Sequence, residues 1–214
     1  MSVSTRASRA GLTAVAGALI GIVVSPFHAL SYFATPDSDG GVIPWGSVGR
    51  DLLLPTLDWG DVDTVYRTYG KVFIVVGIGF LAGLYGLAVA RHGARGVEKW
   101  GFRIAAIGYA LLVLGALGEY WGPESWLDPA FMFLTAPGLL LSLSGSTLLG
   151  IGLIRHKFGP RLGAWLLALS FPLLILFTAL WGHIPMGLIP LDVAWIAIGW
   201  ALWKGRVGST AAGQ

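Results

Sequence analysis

Apolar runs of roughly the length of a membrane span alternate with short polar connections along most of the chain. A transmembrane helix needs roughly 20 mainly apolar residues, and we assign six such helices. The last two come from one long run, which is divided at HIPMGLIP because two prolines there do not continue a helix comfortably. The predicted spans cover approximately residues 10–34, 69–90, 100–121, 129–154, 162–182 and 188–203.

This pattern predicts an all-α integral membrane protein with one transmembrane domain, residues 1–206. Residues 35–68 form an outer loop, and residues 207–214 form a short cytoplasmic tail. With six spans, eleven of the 14 basic residues fall on one side and ten of the 11 acidic residues fall on the other. Glu98 is the acidic exception. Because Lys and Arg in short loops stay in the cytoplasm, we predict both termini there and the protein in the cell membrane.

The N-terminal segment has a second interpretation. Arg6 and Arg9 before an apolar core also fit a cleaved signal peptide. The length of the apolar stretch and the lack of a clear small-x-small cleavage site favour an uncleaved first helix.

Composition supports a lipid environment and excludes several classes of protein. Hydrophobic residues make up 55% of the chain and charged residues only 12%, against about a quarter charged in soluble domains. The chain has no cysteine, which removes disulfides, thiolate metal sites and covalently attached haem. It also lacks a Walker motif, a dinucleotide fingerprint, an in-span lysine for retinal and a nucleophile elbow. We expect membrane lipids as partners and no nucleic acid.

Two hairpins resemble each other in sequence. Arg91 precedes Arg155 by 64 residues, each is followed by histidine, and Glu119 precedes His183 by the same interval. This offset predicts that spans two and three duplicate spans four and five in parallel. Glu119 and His183 would then occupy equivalent places at the outer ends of two helices.

A ladder of small residues runs along the predicted fourth helix at intervals of four. Such a ladder lets another helix approach closely along one face. It fits either a seam in a homo-oligomer or ordinary packing inside the bundle, and we favour packing. The residues are Gly138, Ser142, Ser146 and Gly150.

Four ionisable residues are predicted at similar depth near the outer ends of separate helices. They are His28, Glu119, His183 and Asp192. Ser25 and Tyr32 flank His28 at helical spacing and share its face. Because ionisable groups in a membrane usually point to the bundle interior, these side chains are candidates for one site. The alternative is that they are unrelated, since polar residues are tolerated near the headgroups.

The chemistry of this set leaves several uses open. Two imidazoles and two carboxylates are a plausible ligand set for a divalent metal. They are equally a plausible acid–base set, in which a carboxylate orients an imidazole that transfers a proton. A single b-type haem between His28 and His183 is less favoured, because most bis-histidine haems sit deeper within a bundle.

The outer loop has features of a lid. Its WGSVGRDLLLPTLDW segment predicts a helix lying on the bilayer surface. Arg50 is one of few basic residues outside, and it fits either a partner for a carboxylate of the site or a contact to an anionic lipid headgroup. Asp63 is the expected cap of the second span. A calcium site in DWGDVD is less favoured, because the spacing lacks the EF-hand pattern.

These residues favour a membrane-embedded enzyme or ligand-binding protein with a pocket toward the outer leaflet for a lipid-like or isoprenoid-like molecule. One alternative is a small proton-coupled transporter whose halves are the repeated hairpins. Another is an accessory packing subunit of a larger membrane complex.

Overall fold

The computed structural model describes residues 2–35, 45–91 and 94–207. The secondary structure of this part of the chain is helical, without strands, as the sequence predicts. Its α-helices, named α1 to α11 in chain order, are Val3–Tyr32, Gly46–Leu57, Val62–Lys71, Phe73–Ala90, Gly96–Ala116, Leu127–Ala130, Ala136–Arg155, Arg161–Ala168, Ser170–Trp181, Ile184–Gly187 and Ile189–Trp203. Two π-helical segments, Leu117–Trp121 and Phe131–Thr135, and a short 3₁₀ turn, Glu124–Trp126, lie between α5 and α7.

Several helical stretches are long and apolar enough to cross a membrane. Within the described residues four qualify alone, and a fifth is added if α8 and α9, which are bent by 74°, form one span. Helix α11 is apolar but shorter. The four are Val3–Tyr32, Val62–Ala90, Gly96–Trp121 and Glu124–Arg155. The chain is therefore an all-α protein with the features of a multi-pass membrane protein.

The predicted fifth span is not one straight helix. Helix α8 ends at Ala168, and α9 begins at Ser170 after the bend. Pro172 explains the break, because a proline ring inside a helix clashes with the carbonyl four residues earlier, here that of Ala168. Pro172 itself sits in the first turn of α9, where its missing N–H is not needed.

The bend also distinguishes the two predicted repeat units. Helix α5 runs without interruption through Ala105, whereas Leu169, 64 residues later, lies at the break between α8 and α9. The second helices of the two hairpins therefore differ in shape.

Glycines bring the helices into close backbone contact. Helix α1 packs against α4 and α11, and α5 packs against α7. A Cβ atom built on Gly17 would lie 2.8 Å from the Cα of Gly79, and one on Gly150 would lie 2.2 Å from the backbone nitrogen of Ala168. All four members of the small-residue ladder are buried within the chain. The packing interpretation is thus confirmed, and the ladder is not available as a dimer seam.

The second span begins earlier than predicted, and its cap is a different aspartate. Asp61 caps α3 by accepting a hydrogen bond from the backbone N–H of Thr64 at 2.9 Å. Asp63 lies in the first turn, so its predicted capping role is wrong. Hydrogen bonds from the side chain and backbone of Thr64 lower the pKa of Asp61. Within the outer loop, α2 forms where a surface helix was predicted; residues 36–44 lie outside the described residues.

Glu98, the acidic residue on the basic side, is buried and paired. Arg91 donates two hydrogen bonds to its carboxylate, at 2.8 and 2.9 Å, and these raise the pKa of the Arg91 guanidinium. His156 Nε2 lies 3.7 Å from the same carboxylate. Gly152 leaves the space for Glu98, because a Cβ there would lie 2.8 Å from the Glu98 Cβ. The carboxylate thus joins the ends of α4, α5 and α7.

Candidate functional site

A cavity of about 140 Å³ lies beside the C-terminal part of α1 and the π-helical segment that follows α5. Three of the four ionisable residues predicted to form a site line it. The remaining lining is aromatic or aliphatic, with one threonine and two tyrosines. The lining residues are His28, Tyr66, Phe73, Val76, Gly77, Phe80, Leu112, Ala116, Glu119, Tyr120, Phe131, Thr135, Leu139, His183, Ile184, Pro185 and Leu188.

His28 occupies an aromatic cage near the end of α1. Its side chain is 1% exposed. The centroid of its ring lies 4.5 Å from that of Tyr66, 5.0 Å from Phe73, 5.1 Å from His183 and 5.5 Å from Tyr120. Among the described residues neither ring nitrogen has a hydrogen-bond partner. Leaving a buried polar group unsatisfied costs about 1–3 kcal/mol, so the cage holds the imidazole at an energetic cost.

His183 reaches the same cavity through a glycine turn. Gly182 ends α9 in the left-handed region, with φ of 74°, and its N–H donates to the carbonyl of Thr178. Glycine adopts this conformation without a Cβ penalty, which makes it a common helix terminator. The turn directs His183 toward Tyr32, whose ring centroid is 4.7 Å away. His183 Nδ1 also has no hydrogen-bond partner among the described residues.

Glu119 lies in the π-helical segment that follows α5. It is 4% exposed and accepts a hydrogen bond from the hydroxyl of Thr135, which ends the second π-helical segment. Gly115 makes room for this contact, because a Cβ there would lie 2.1 Å from Thr135 Oγ1. π-Helical turns are rare and are often found at functional sites. Here they position a carboxylate and its donor on facing helices.

Two tyrosines complete the polar end of the cavity, and sequence reasoning missed both. The hydroxyls of Tyr66 and Tyr120 lie 3.5 Å apart. Gly70 allows Tyr120 to enter, since a Cβ on Gly70 would lie 2.2 Å from its ring. Tyr66 was overlooked because the second span was predicted to begin at residue 69. The cap signal at Asp61 was the clue that would have placed Tyr66 on a helix.

Asp192 lies elsewhere. It is buried in the first turn of α11 and faces Gly21, where a Cβ would be 2.6 Å from its Oδ1. Gly21 precedes His28 by seven residues, which corresponds to about 10 Å along the helix. Asp192 is therefore about two turns of α1 away from the position of His28, and it does not line the cavity with the other three residues. The short helix α10 and Leu188 separate His183 from α11, in whose first turn Asp192 lies.

The three other predicted ligand-binding residues do not line the cavity. Ser25 is buried and donates its hydroxyl proton to the Gly21 carbonyl at 2.7 Å. Tyr32 packs on the ring of His183 behind the cavity wall. Arg50 lies on α2 and is exposed.

The residues present do not assemble the predicted metal centre. No group of three or more His, Asp or Glu side chains comes together as a metal site within the described residues, so His28, Glu119 and His183 do not converge on one metal position although all three line the cavity. A bis-histidine haem does not fit either. Its porphyrin lies between the two imidazoles, whereas the rings of His28 and His183 are in direct contact, tilted by 51°. Hydrogen bonding and proton transfer are the chemistry that this arrangement supports.

The chain was compared with protein-family models, with curated proteins and with solved structures, and no match was found.

Proposed function

We propose that the protein is a membrane-embedded ligand-binding protein or enzyme whose cavity takes a lipid-like or isoprenoid-like molecule with a hydrogen-bonding head group. One observation carries this proposal. Two imidazoles with unpartnered nitrogens lie at one end of an otherwise apolar cavity. Ligand sites are typically apolar pockets in which a few polar groups fix the orientation.

The lining sets the direction in which such a molecule lies. Its head group contacts His28 and His183, with Glu119 beside them. Its hydrocarbon part extends between α4 and α5, where Phe80 and Leu112 line the cavity. A neutral imidazole has one donor and one acceptor nitrogen, so an alcohol or a carbonyl satisfies it better than a charged group.

The same residues support acid–base catalysis if the protein is an enzyme. A histidine next to a bound hydroxyl or carbonyl can take or give a proton. Glu119, fixed by Thr135, then serves as the second proton-transfer group.

Binding of geraniol, a small isoprenoid alcohol, tests the proposal. We expect the purified protein in nanodiscs to bind geraniol about tenfold or more tightly than the corresponding hydrocarbon, because the hydroxyl satisfies a buried imidazole. Titration followed by tryptophan fluorescence measures both affinities. Equal affinities would show that the polar end of the cavity plays no part in recognition.

We further propose six spans, with α8 and α9 forming the fifth and residues 184–203 the sixth, and both termini in the cytoplasm. The distribution of Lys and Arg supports this arrangement. Reporter fusions at Gln214 and in the 91–99 connection are expected to read cytoplasmic, and one near Gly40 external. A cytoplasmic signal from the Gly40 fusion would contradict the orientation.

A proton-coupled transporter is the second candidate, and one observation favours it. Helices α8 and α9 form a broken apolar stretch bent by 74°, and discontinuous helices are common at the substrate sites of transporters. Geraniol uptake into liposomes driven by a pH gradient would favour transport, and binding without gradient-driven uptake would favour a receptor or enzyme.

A further inference from the structure

Asp192 is an isolated carboxyl group in the interior of the bundle. It is 1% exposed. Among the described residues its Oδ1 has no hydrogen-bond partner, and the ion pairs found there involve Glu98 instead. Gly21, the residue it faces, lies near the middle of α1, so the carboxyl group is far from both ends of that helix.

The polar groups nearest to Asp192 are already engaged with one another. Trp195, one turn further along α11, donates its indole N–H to the Tyr109 hydroxyl at 3.0 Å. Because tryptophan is only a donor, the Tyr109 oxygen accepts this bond, and the same oxygen shares a hydrogen bond with the Ser146 hydroxyl at 2.6 Å. The hydroxyl of Ser25 likewise donates its hydrogen bond to the Gly21 carbonyl. None of these groups donates to Asp192.

Among the described residues no charged side chain approaches Asp192 from the elements packed around it. Helix α1 presents Gly21 and Ser25, and α4 presents Gly83 beside Trp195. Helix α5 presents Tyr109, a neutral phenol. An isolated ionised carboxylate in an apolar interior is strongly unfavourable, and such a group is accommodated in its neutral form instead.

Along α11, Asp192 lies one helical turn from a residue that lines the cavity. Leu188 lines the cavity, and the backbone N–H of Asp192 donates to its carbonyl one turn away. On α1, Ser25 lies between Gly21 and His28 on the same helical face. Both helices therefore lead from the cavity to Asp192 within about two turns.

We infer that Asp192 is a proton-binding site in the membrane interior and that it exchanges its proton with the outer cavity. The cavity supplies the access route, and His28 is the titratable group on that route. This role does not depend on which molecule the cavity binds.

Infrared spectroscopy of the full-length protein in nanodiscs at neutral pH, without ligand, tests this inference. We expect a carbonyl stretching band of a protonated carboxylic acid that disappears in Asp192→Asn and persists in Glu119→Gln. Transfer to deuterium oxide is expected to shift the band. An unchanged spectrum in Asp192→Asn would contradict proton binding at Asp192, and a band that does not shift would contradict exchange.

Isotope-labelled aspartate provides the same readout in the unaltered sequence if Asp192→Asn does not fold. Asp192 is the buried aspartate of the described residues, and we expect labelling to move the carboxylic acid band to lower frequency. A carboxylic acid band whose frequency does not change on labelling would overturn the inference. Both measurements omit geraniol, so failure of geraniol binding and failure of proton binding are separate results.

Discussion

Replacing Gly108 with leucine is expected to leave little or no folded protein. A Cβ atom at Gly108 would lie 2.1 Å from the backbone nitrogen of Ser142 and 2.5 Å from its Cα. Neither backbone atom can move unless the whole of α7 moves. Overpacking a core costs about 1–3 kcal/mol and occasionally more. We expect a loss of stability at the upper end of this range or above it, because the backbones of α5 and α7 are in direct contact.

The same contact recurs along this helix pair. A Cβ on Gly145 would lie 2.2 Å from the backbone nitrogen of Ala105, and one on Gly101 would lie 2.5 Å from that of Leu149. Because α5 and α7 lead into the two π-helical segments, separating them also separates Glu119 from Thr135. The cavity therefore depends on this packing.

Size-exclusion profiles and thermal melting in detergent measure the effect. Ile107→Phe is the matched control, because it adds bulk at the neighbouring position, whose side chain is 57% exposed. We expect the control to fold and melt like the original protein. A monodisperse Gly108→Leu protein with unchanged melting would contradict the close packing of α5 on α7.

Replacing His28 with phenylalanine is expected to abolish the preference for geraniol over its hydrocarbon while keeping the fold. Phenylalanine preserves ring packing in the cage but removes both nitrogens. Loss of a partner for the ligand hydroxyl costs about 1–3 kcal/mol, so geraniol affinity should fall about tenfold or more. Hydrocarbon affinity should not change.

Thermal stability provides a second signature of the same substitution. Because the nitrogens of His28 have no protein partner among the described residues, removing them leaves stability unchanged or increases it. His156→Phe is the matched control, since that histidine lies at the opposite end of the bundle beside Glu98. A geraniol affinity that falls equally in both variants would contradict a role specific to His28.

Hydrophobic runs were sufficient to predict an all-α membrane protein, because burial in lipid constrains composition over a whole span. They did not reveal the bend at Leu169, since apolarity does not distinguish a straight helix from a broken one. Pro172 was the available signal. Prolines interrupt helices, which is why the long apolar run was divided at HIPMGLIP, and the same reasoning applies at Pro172.

Counting residues from the charged ends brought together His28, Glu119 and His183, because each lies near the end of a long helix. The count took no account of the extra helical turn at 184–187, which separates His183 from the helix that carries Asp192. It also gave no information on Tyr66 and Tyr120. Their approach depends on which helix faces meet, and apolar sequences with low periodicity do not specify that.

Photolabelling with a diazirine analogue of geraniol tests the central claim most directly, because it reports where the molecule binds. We expect labelled peptides from the cavity lining on α4 and α5, around Phe80 and Leu112, with labelling prevented by excess geraniol and reduced in His28→Phe. Labelling confined to the exposed groove around Trp126 and Phe133, and unaffected by His28→Phe, would contradict the proposed site.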